Sequence, residues 1–343
     1  MRSHPLVHLA RVKFLEFIRE PEAIFWVLVF PVLLSLALGI AFRSKAPAPL
    51  AVAVANGPGA EEAVRALGND SGLRAKLLSE NDARESLRTG RVALVVIPGD
   101  PLTYWFDPVR DESRVARLAA DAALQRAAGR VDVKTTAVRE MTEKGSRYVD
   151  FLVPGLLGMN LMGTGMWGIG FSIVTARSRG LLKRLIATPM RKRHYLLGQM
   201  LGRMAFLVPE VVVLLGFAHF AFGVPINGSI AALAVVTGLG AVAFTGIGLL
   251  VAARPRTIEG VSGLMNFVML PMWIFSGVFF SPSRFPDAMM PMIRLLPLTA
   301  LNDALRAVML DGASLAGVER QLLVVALWGA SAFVVALKLF RWK

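Results

Sequence analysis

A long uncharged run that ends in a dense group of cations dominates this sequence of 343 residues. Residues 151–176 carry no charged side chain, and at about 1.5 Å per residue they are long enough to cross a hydrocarbon core of roughly 30 Å. Seven Lys and Arg residues follow between Arg177 and Arg193. Clusters of this density between two spans stay on the cytoplasmic side of a membrane. The stretch therefore predicts a span, assigned to 149–176, whose end lies in the cytoplasm.

The composition extends this prediction to the whole chain. Hydrophobic residues make up 55% of the sequence and charged residues only 18%, compared with about 25% charged in soluble domains. Further apolar runs predict spans at 23–42, 195–222, 229–253, 258–280 and 318–340. The predicted fold class is a polytopic α-helical membrane protein with six transmembrane helices, located in the cell inner (cytoplasmic) membrane with both termini in the cytoplasm. The net charge of +14 is concentrated beside the predicted cytoplasmic ends, so it indicates contact with a lipid bilayer and no nucleic-acid partner.

Two segments outside the spans have their own patterns. Residues 1–22 carry an apolar stripe opposite charged residues, which predicts a cytoplasmic interfacial helix; a cleaved signal peptide is the disfavoured alternative. Residues 43–147 have the composition of a soluble domain, and because the neighbouring spans run in opposite directions this domain is predicted to be extracytoplasmic. Strands are predicted at 50–55, 92–97 and 102–106 and helices at 60–89 and 111–130, which together make a small α/β domain.

Polar residues within the predicted spans are candidates for function, because charge in a membrane is costly. Arg203 and Glu210 are seven residues apart, or about 10.5 Å along a helix, which is too far for a simple pair unless their long side chains bridge the gap. Arg203 is expected to reach the cytoplasmic boundary. Together with Asn160, Asn266 and Ser276, these two residues are predicted to line a pathway or a subunit interface.

Two short segments next to the spans are predicted to be amphipathic. Within 177–193, apolar Leu181, Leu182, Leu185 and Ile186 recur at helical spacing before Thr188 and Pro189 end the helix. The segment 281–317 is interrupted by prolines and predicts short helices near 287–296 and 299–310. These helices form a re-entrant hairpin between the fifth and sixth spans, or alternatively lie on the membrane surface.

The sequence lacks the common motifs for nucleotide binding, serine hydrolysis and zinc binding. The sequence contains no Gly-Lys dipeptide, which excludes the phosphate-binding loop G-x-x-x-x-G-K-[ST], and no G-x-S-x-G motif of a serine hydrolase. His4 and His8 lack the acidic partner of an H-E-x-x-H zinc site, and the chain has no cysteine. We therefore expect no catalytic, cofactor-binding or metal-binding residues in this chain, and no enzyme activity of its own.

Four motifs, in this order along the chain, resemble the type-2 permease family of ATP-binding-cassette (ABC) exporters. They are Phe17-Ile18-Arg19-Glu20-Pro21 before the first span, the run from Gly180 to Pro189, Ser276-Gly277-Val278-Phe279-Phe280, and the run from Pro297 to Arg306. The resemblance extends over essentially the whole chain. The large external domain is similar to that of the drug and lipid exporters in this family.

The resemblance implies partners and roles for these motifs. Segment 177–193 would be the coupling helix that docks into an ATPase subunit, through Gly180, Leu181, Leu182, Lys183, Leu185, Ile186, Thr188 and Pro189. Pro297, Asn302, Asp303 and Arg306 would belong to a hairpin near the outer exit. Two ATPase subunits would carry ATP and Mg²⁺, and a second permease copy would complete a homodimer or heterodimer. Relatives usually have acidic residues where this chain has Ala176, Ser178 and Lys183, so an acidic partner surface is expected here.

The sequence leaves several alternatives open. The chain is predicted to export an amphipathic, lipid-like or drug-like substrate. It could instead be the non-driving half of a heterodimeric exporter, or a membrane sensor whose external domain binds a ligand; a lipid-modifying enzyme is disfavoured because no catalytic cluster is present. The external domain has either cargo or a further envelope protein as its predicted partner.

Overall fold

The computed structural model describes residues 15, 19–41, 48–131, 134, 145, 147–187 and 192–340. The predicted interfacial helix at 1–22 therefore lies almost wholly outside the described residues. The chain divides into two compact units, one formed by Met1–Arg43 with Met141–Lys343 and the other by Ser44–Glu140. The first unit is helical, and the second contains a β-sheet.

Four described helices are long and apolar enough to cross a membrane. They are α7 (Lys192–Phe222), α8 (Ile230–Val251), α9 (Ile258–Phe275) and the segment Leu315–Leu339, which contains α12 (Glu319–Leu339). The remaining helices of the unit are α1 (Pro21–Ile24, π-helical Phe25–Val29 and Phe30–Ala41), α5 (Tyr148–Gly163, π-helical Thr164–Gly168 and Ile169–Ser178), α6 (Leu181–Ile186), α10 (Met290–Leu295) and α11 (Pro297–Met309).

The helix α8 lies at the centre of this unit and makes close contacts through small residues. A Cβ atom placed on Gly246 would come within 2.9 Å of the Gly329 carbonyl oxygen in α12, and one placed on Gly248 within 2.7 Å of the Gly165 oxygen in α5. Because lipid does not drive helices together as water does, membrane helices associate through such close backbone approaches. The small residues of α8 thus define the packing of the bundle.

The α/β unit has a four-stranded sheet in the order β2-β1-β3-β4. The strands β1 (Leu50–Ala55), β2 (Leu73–Leu78) and β3 (Leu94–Ile97) are parallel, and β4 (Thr103–Phe106) is antiparallel to β3. One side of the sheet packs on α2 (Ala60–Gly68) and α4 (Asp111–Ala127), and the other side packs on α3 (Glu80–Arg88). The strand β1 is largely buried, as expected for a central strand covered on both faces.

The prediction of helix throughout residues 60–89 is wrong. The strand β2 lies between α2 and α3, and it pairs with β1 from Leu50 opposite Leu73 to Ala55 opposite Leu78. A turn comes before it, in which the Gly72 amide donates to the Asp70 carboxylate at 2.9 Å. Arg74 and Lys76 of β2 are exposed, because β2 lies at the edge of the sheet. These two cations give the strand the composition of a charged surface helix, which is why the sequence prediction missed it.

The end of the fifth predicted span also differs from the sequence prediction. The helix α9 ends at Phe275 rather than Phe280, and Gly277 follows with φ +70°, a left-handed conformation that ends helices. The next segment contains α10 and α11, separated by Leu296. Ten of the 13 residues of α11 are buried, and the three that are partly exposed, Asp303, Arg306 and Ala307, share one face. The helix therefore packs into the bundle more deeply than an amphipathic surface helix would.

Candidate functional site

An ion pair lies inside the helical unit. Arg203 Nη2 is 2.5 Å from Glu210 Oε2, and the two side chains are 5% and 0% exposed. Both residues belong to α7, two helical turns apart, and the extended side chains bridge the separation along the axis. The expectation that Arg203 reaches the cytoplasmic boundary is therefore wrong, because its guanidinium points along the helix to the carboxylate.

Two polar residues of α5 join this ion pair. The Thr164 hydroxyl lies 3.1 Å from Glu210 Oε1 and 2.8 Å from the Asn160 carbonyl oxygen, and it accepts a hydrogen bond from Arg203. Asn160 donates through Nδ2 to the Val27 carbonyl at 3.1 Å. Val27 and Thr164 both lie in π-helical turns, where the regular backbone pattern is locally widened. The polar cluster therefore connects α1, α5 and α7 at their irregular turns.

The electrostatics of the polar cluster require both charges. Moving one ion into a medium of low dielectric costs several kcal/mol even after relaxation, and a close partner offsets that cost. The Arg203 Nε and Nη1 atoms are buried and have no hydrogen-bond partner among the described residues. The hydrogen bonds of Thr164 to both members of the ion pair thus connect α5 to α7.

The other predicted pathway residues lie elsewhere. Ser276 is buried, and its carbonyl oxygen accepts a hydrogen bond from Asn302 Nδ2 at 2.9 Å. Asn266 is exposed on α9, on the same face as Phe267 and Leu270, which are 78% and 53% exposed. The five predicted residues therefore form three separate groups. Thr164 was not predicted; its spacing of four residues from Asn160 in an uncharged run is the signal that would have found it.

A second polar cluster joins α11 to α5 and to the end of α9. Arg306 donates to the carbonyl oxygen of Phe151 at 3.2 Å and to that of Gly277, and its guanidinium lies 3.7 Å from the centre of the Phe151 ring. Asp303 is 3.9 Å from Arg306. Pro297 is the first residue of α11, a position at which proline loses no helical hydrogen bond. The four predicted hairpin residues thus all lie on one helix that binds its neighbours through backbone oxygens.

The predicted coupling segment is helical between Leu181 and Ile186. Leu182 is buried, whereas Leu181, Lys183 and Arg184 are exposed. Gly180 precedes the helix with φ +69°, which favours glycine. The side chains of Leu185 and Ile186 and the whole of Thr188 and Pro189 lie outside the described residues, so their predicted contacts with an ATPase stay predictions.

The α/β unit carries a depression of about 700 Å³ between α3 and the end of β4. Arg84, Arg88 and Arg110 line it together with Leu87, Phe106 and a single carboxylate, Asp107. Arg88 pairs with Glu85 at 2.6 Å, whereas Arg84 and Arg110 form no ion pair with any described residue. The depression therefore offers positive charge beside apolar surface.

The adjoining strand β4 is tied to α4 by a side-chain hydrogen bond. Tyr104 Oη donates to Asp121 Oδ1 at 3.0 Å. Burial, together with this hydrogen bond to a carboxylate, raises the pKa of the Tyr104 phenol. The phenol therefore stays protonated and donating throughout the physiological pH range.

The long apolar helices, the buried ion pair and the short exposed helix α6 define a polytopic membrane protein with a polar centre. The family model described as ABC-2 family transporter protein matches residues 21–338, and the chain belongs to this family. The family resemblance inferred from the four sequence motifs is confirmed.

Individual relatives cover smaller parts of the chain. This chain is 30% identical to ABC transporter G family member 20 of Dictyostelium discoideum over 185 residues. The matched region is 53% of this chain and 25% of that protein. The chain is 26% identical over 201 residues to the inner membrane transport permease YadH of Escherichia coli, covering 58% of this chain and 75% of YadH. It is also 26% identical over 177 residues to the linearmycin resistance permease protein LnrN of Bacillus subtilis, covering 51% and 46%.

Proposed function

We propose that the chain is the permease subunit of an ATP-driven exporter, with energy supplied by separate ATPase subunits that bind ATP and Mg²⁺. The observation that carries this proposal is α6, whose Leu181, Lys183 and Arg184 are exposed directly after α5. A short helix that is joined directly to the bundle gives an ATPase a docking point through which its movement is passed to the bundle. Membership of the ABC-2 family supports the same role.

The ATPase surface that meets α6 is proposed to be acidic. Lys183 and Arg184 are exposed, and Ala176 and Ser178 stand where relatives usually carry acidic residues. Complementary charge favours docking and disfavours wrong partners. Two ATPase subunits, one for each permease copy, would close when they bind ATP and shift the bundle between two states through their different affinities for those states.

The pathway is proposed to lie between two permease copies, along the exposed face of α9. Phe267 and Leu270 are exposed there, and Asn266 places an amide among them. An amide without a partner is costly in hydrocarbon, so this face favours a protein or solvent contact over lipid. In this arrangement α1 and α5 also cross the membrane, which makes six spans with both termini in the cytoplasm and places the hairpin of α10 and α11 near the outer exit.

The proposed cargo is amphipathic, lipid-like or drug-like. The apolar α9 face offers little to a strongly polar solute, and the name of the Bacillus subtilis relative assigns it linearmycin resistance. The arginine-lined depression of the α/β unit provides a contact for the anionic group of a cargo or for an envelope protein. Export out of the cytoplasm or inner leaflet follows the same family analogy.

Co-purification tests this function. The chain is affinity-purified from its own cells in detergent, and the preparation is assayed for a bound ATPase and for ATP hydrolysis. Lys183→Glu is expected to reduce the recovered ATPase by about tenfold, equivalent to about 1.4 kcal/mol, because it opposes an acidic surface with a carboxylate. Lys338→Glu is the matched control, since Lys338 is exposed at the end of α12.

Other outcomes would change the assignment. If no ATPase accompanies the unaltered chain, the exporter function is wrong and the sensor interpretation takes its place. If an ATPase binds but hydrolysis is silent until a homologous permease is added, the chain is the non-driving half of a heterodimer. Equal recovery with Lys183→Glu and Lys338→Glu would rule out the acidic docking surface alone.

A further inference from the structure

Arg177, near the end of α5, binds the turn that ends α8. Its Nη1 atom donates to the Ala252 carbonyl at 3.1 Å and also to the Pro255 carbonyl, and its Nη2 atom donates to the Ala253 carbonyl at 3.1 Å. Arg177 is only 7% exposed. Carbonyls at the end of a helix and in the turn after it lack a partner within that helix, and the planar guanidinium fork reaches three of those in the turn after α8.

The same guanidinium also lies beside the end of α12. Its central carbon is 5.6 Å from the centre of the Phe340 ring, within the range of a cation–π contact. Lys192 at the start of α7 donates through Nζ to the Phe340 carbonyl at 3.0 Å, and the Tyr195 ring lies 6.0 Å from the Phe340 ring. The ends of α5, α7, α8 and α12 therefore meet around Arg177 and Phe340.

This meeting point is directly connected to α6. The Gly180 amide donates to the Arg177 carbonyl at 3.0 Å, and the Lys183 amide donates to the Gly180 carbonyl at 3.1 Å. Two hydrogen-bonded turns thus link Arg177 to α6 without an intervening loop. These turns therefore connect the backbone of α6 to the residue that carries the guanidinium.

Retention of positive charge in the cytoplasm does not explain this geometry. That effect requires only a cation near the membrane surface, and the exposed Arg179 and Lys183 already supply it. Arg177 instead gives up water for neutral carbonyl oxygens of a neighbouring helix. Its contacts join the end of α5 to the ends of α8 and α12.

We propose that Arg177 is a positioning residue that transmits movement of α6 to α8 and α12, so that these helices and α5 move as one body. The inference rests on the proposed ATPase docking at α6. Without the guanidinium, α6 would move with α5 alone, and the energy of ATP binding would not reach the centre of the bundle.

Distance measurements between spin labels test this link. Because the chain has no cysteine, labels are placed at Ala187→Cys after α6 and Lys338→Cys on α12, and labelled chain is diluted with unlabelled chain so that each distance is measured within one protomer. In the ATPase complex, ATP with Mg²⁺ is expected to leave this distance unchanged. In the Arg177→Gln background, ATP is expected to shift and broaden the distance, while ATPase binding and hydrolysis persist.

The matched control is Arg179→Gln, which removes a neighbouring exposed cation and is expected to keep the distance that ATP leaves unchanged in the parent. Arg177→Lys keeps the charge without the planar guanidinium and is used where Arg177→Gln does not accumulate; its ATP-dependent change in distance is expected to be smaller.

A distance that ATP leaves unchanged in both Arg177 variants would overturn the inference and leave the exporter function standing. Failure of both variants to accumulate, beside a normal Arg179→Gln, would assign Arg177 to stability alone and also overturn it. Absence of an ATPase from the parent preparation would instead overturn the proposed function, and this inference with it.

Discussion

At the scale of single residues, the Arg203–Glu210 pair offsets the high free-energy cost of burying two charges by placing them in direct contact. Each charge is buried, and each is stabilised mainly by the other and by Thr164. Breaking such a pair leaves an uncompensated charge, whereas replacing both members with apolar residues of similar volume is often neutral. The stability of the pair is therefore a property of two residues together, and it is measured by changing both.

Glu210→Leu is expected to destabilise the folded chain by about 3–5 kcal/mol, because Arg203 then stays buried without a counter-charge. The double variant Arg203→Met with Glu210→Leu is expected to recover most of this loss. Thr164→Val, which removes the hydroxyl that bonds both members of the pair but leaves both charges in place, is the matched control, with an expected loss of about 1–3 kcal/mol. Thermal unfolding of the purified chain in detergent, followed by tryptophan fluorescence, measures all four proteins. A double variant no more stable than Glu210→Leu would contradict the account.

Both members of this pair could be identified from the sequence, but their contact could not. Charge within an apolar run marks Arg203 and Glu210 as unusual. Their separation along the helix argues against contact until the conformations of both side chains are known. Those conformations depend on Thr164 and on the π-helical turn in which it lies. Neither feature can be recognised from the hydropathy of the sequence.

At the scale of helices, contacts between small residues determine where the bundle is tight. Gly246 faces the backbone of α12, whereas Gly238 on the same helix has no atom within 4 Å of the position a Cβ would occupy. Gly246→Ala is expected to destabilise the chain by about 1–3 kcal/mol, since the neighbouring helix must move. Gly238→Ala is expected to be neutral or to stabilise by about 0.5–1 kcal/mol, because alanine favours the helix.

The thermal unfolding midpoints of Gly246→Ala and Gly238→Ala, measured side by side, test whether Gly246 lies at the close contact with α12 and Gly238 does not. Equal midpoints would show that the approach of α8 to α12 is looser than the structure describes. A Gly238→Ala variant that unfolds first would reverse the assigned faces of α8. The comparison needs no knowledge of cargo or partner.

Long helices were predictable because length and hydropathy are strong signals. The spans predicted at 195–222, 229–253 and 318–340 correspond closely to α7, α8 and α12. The strand β2 was not predictable in the same way, since Arg74 and Lys76 give it a charged composition and only the pairing with β1 makes it a strand. The end of α9 depends on the left-handed Gly277, which a continuous apolar run conceals.

At the scale of the whole molecule, the orientation of the two units relative to the membrane is open to a direct test. Val109 is 88% exposed in the α/β unit, and Lys183 is exposed on α6. A membrane-impermeant maleimide is expected to label Val109→Cys in spheroplasts and Lys183→Cys only in inverted membrane vesicles, because the cations near α6 keep that end in the cytoplasm. The cysteine-free parent is the control, and labelling of both sites from one side would contradict the predicted topology.

The position of α8 among its neighbours has a consequence for biosynthesis. In its most apolar stretch 61% of residues are buried, compared with 22–28% for the other three long apolar helices of the described chain. A ribosome makes α8 before α12, so the Gly246 face has no helix to meet when it first enters the bilayer. The contact between α8 and α12 is therefore completed only after α12 has been made. A chain that stalls before Glu319 therefore leaves the Gly246 face of α8 without its partner helix.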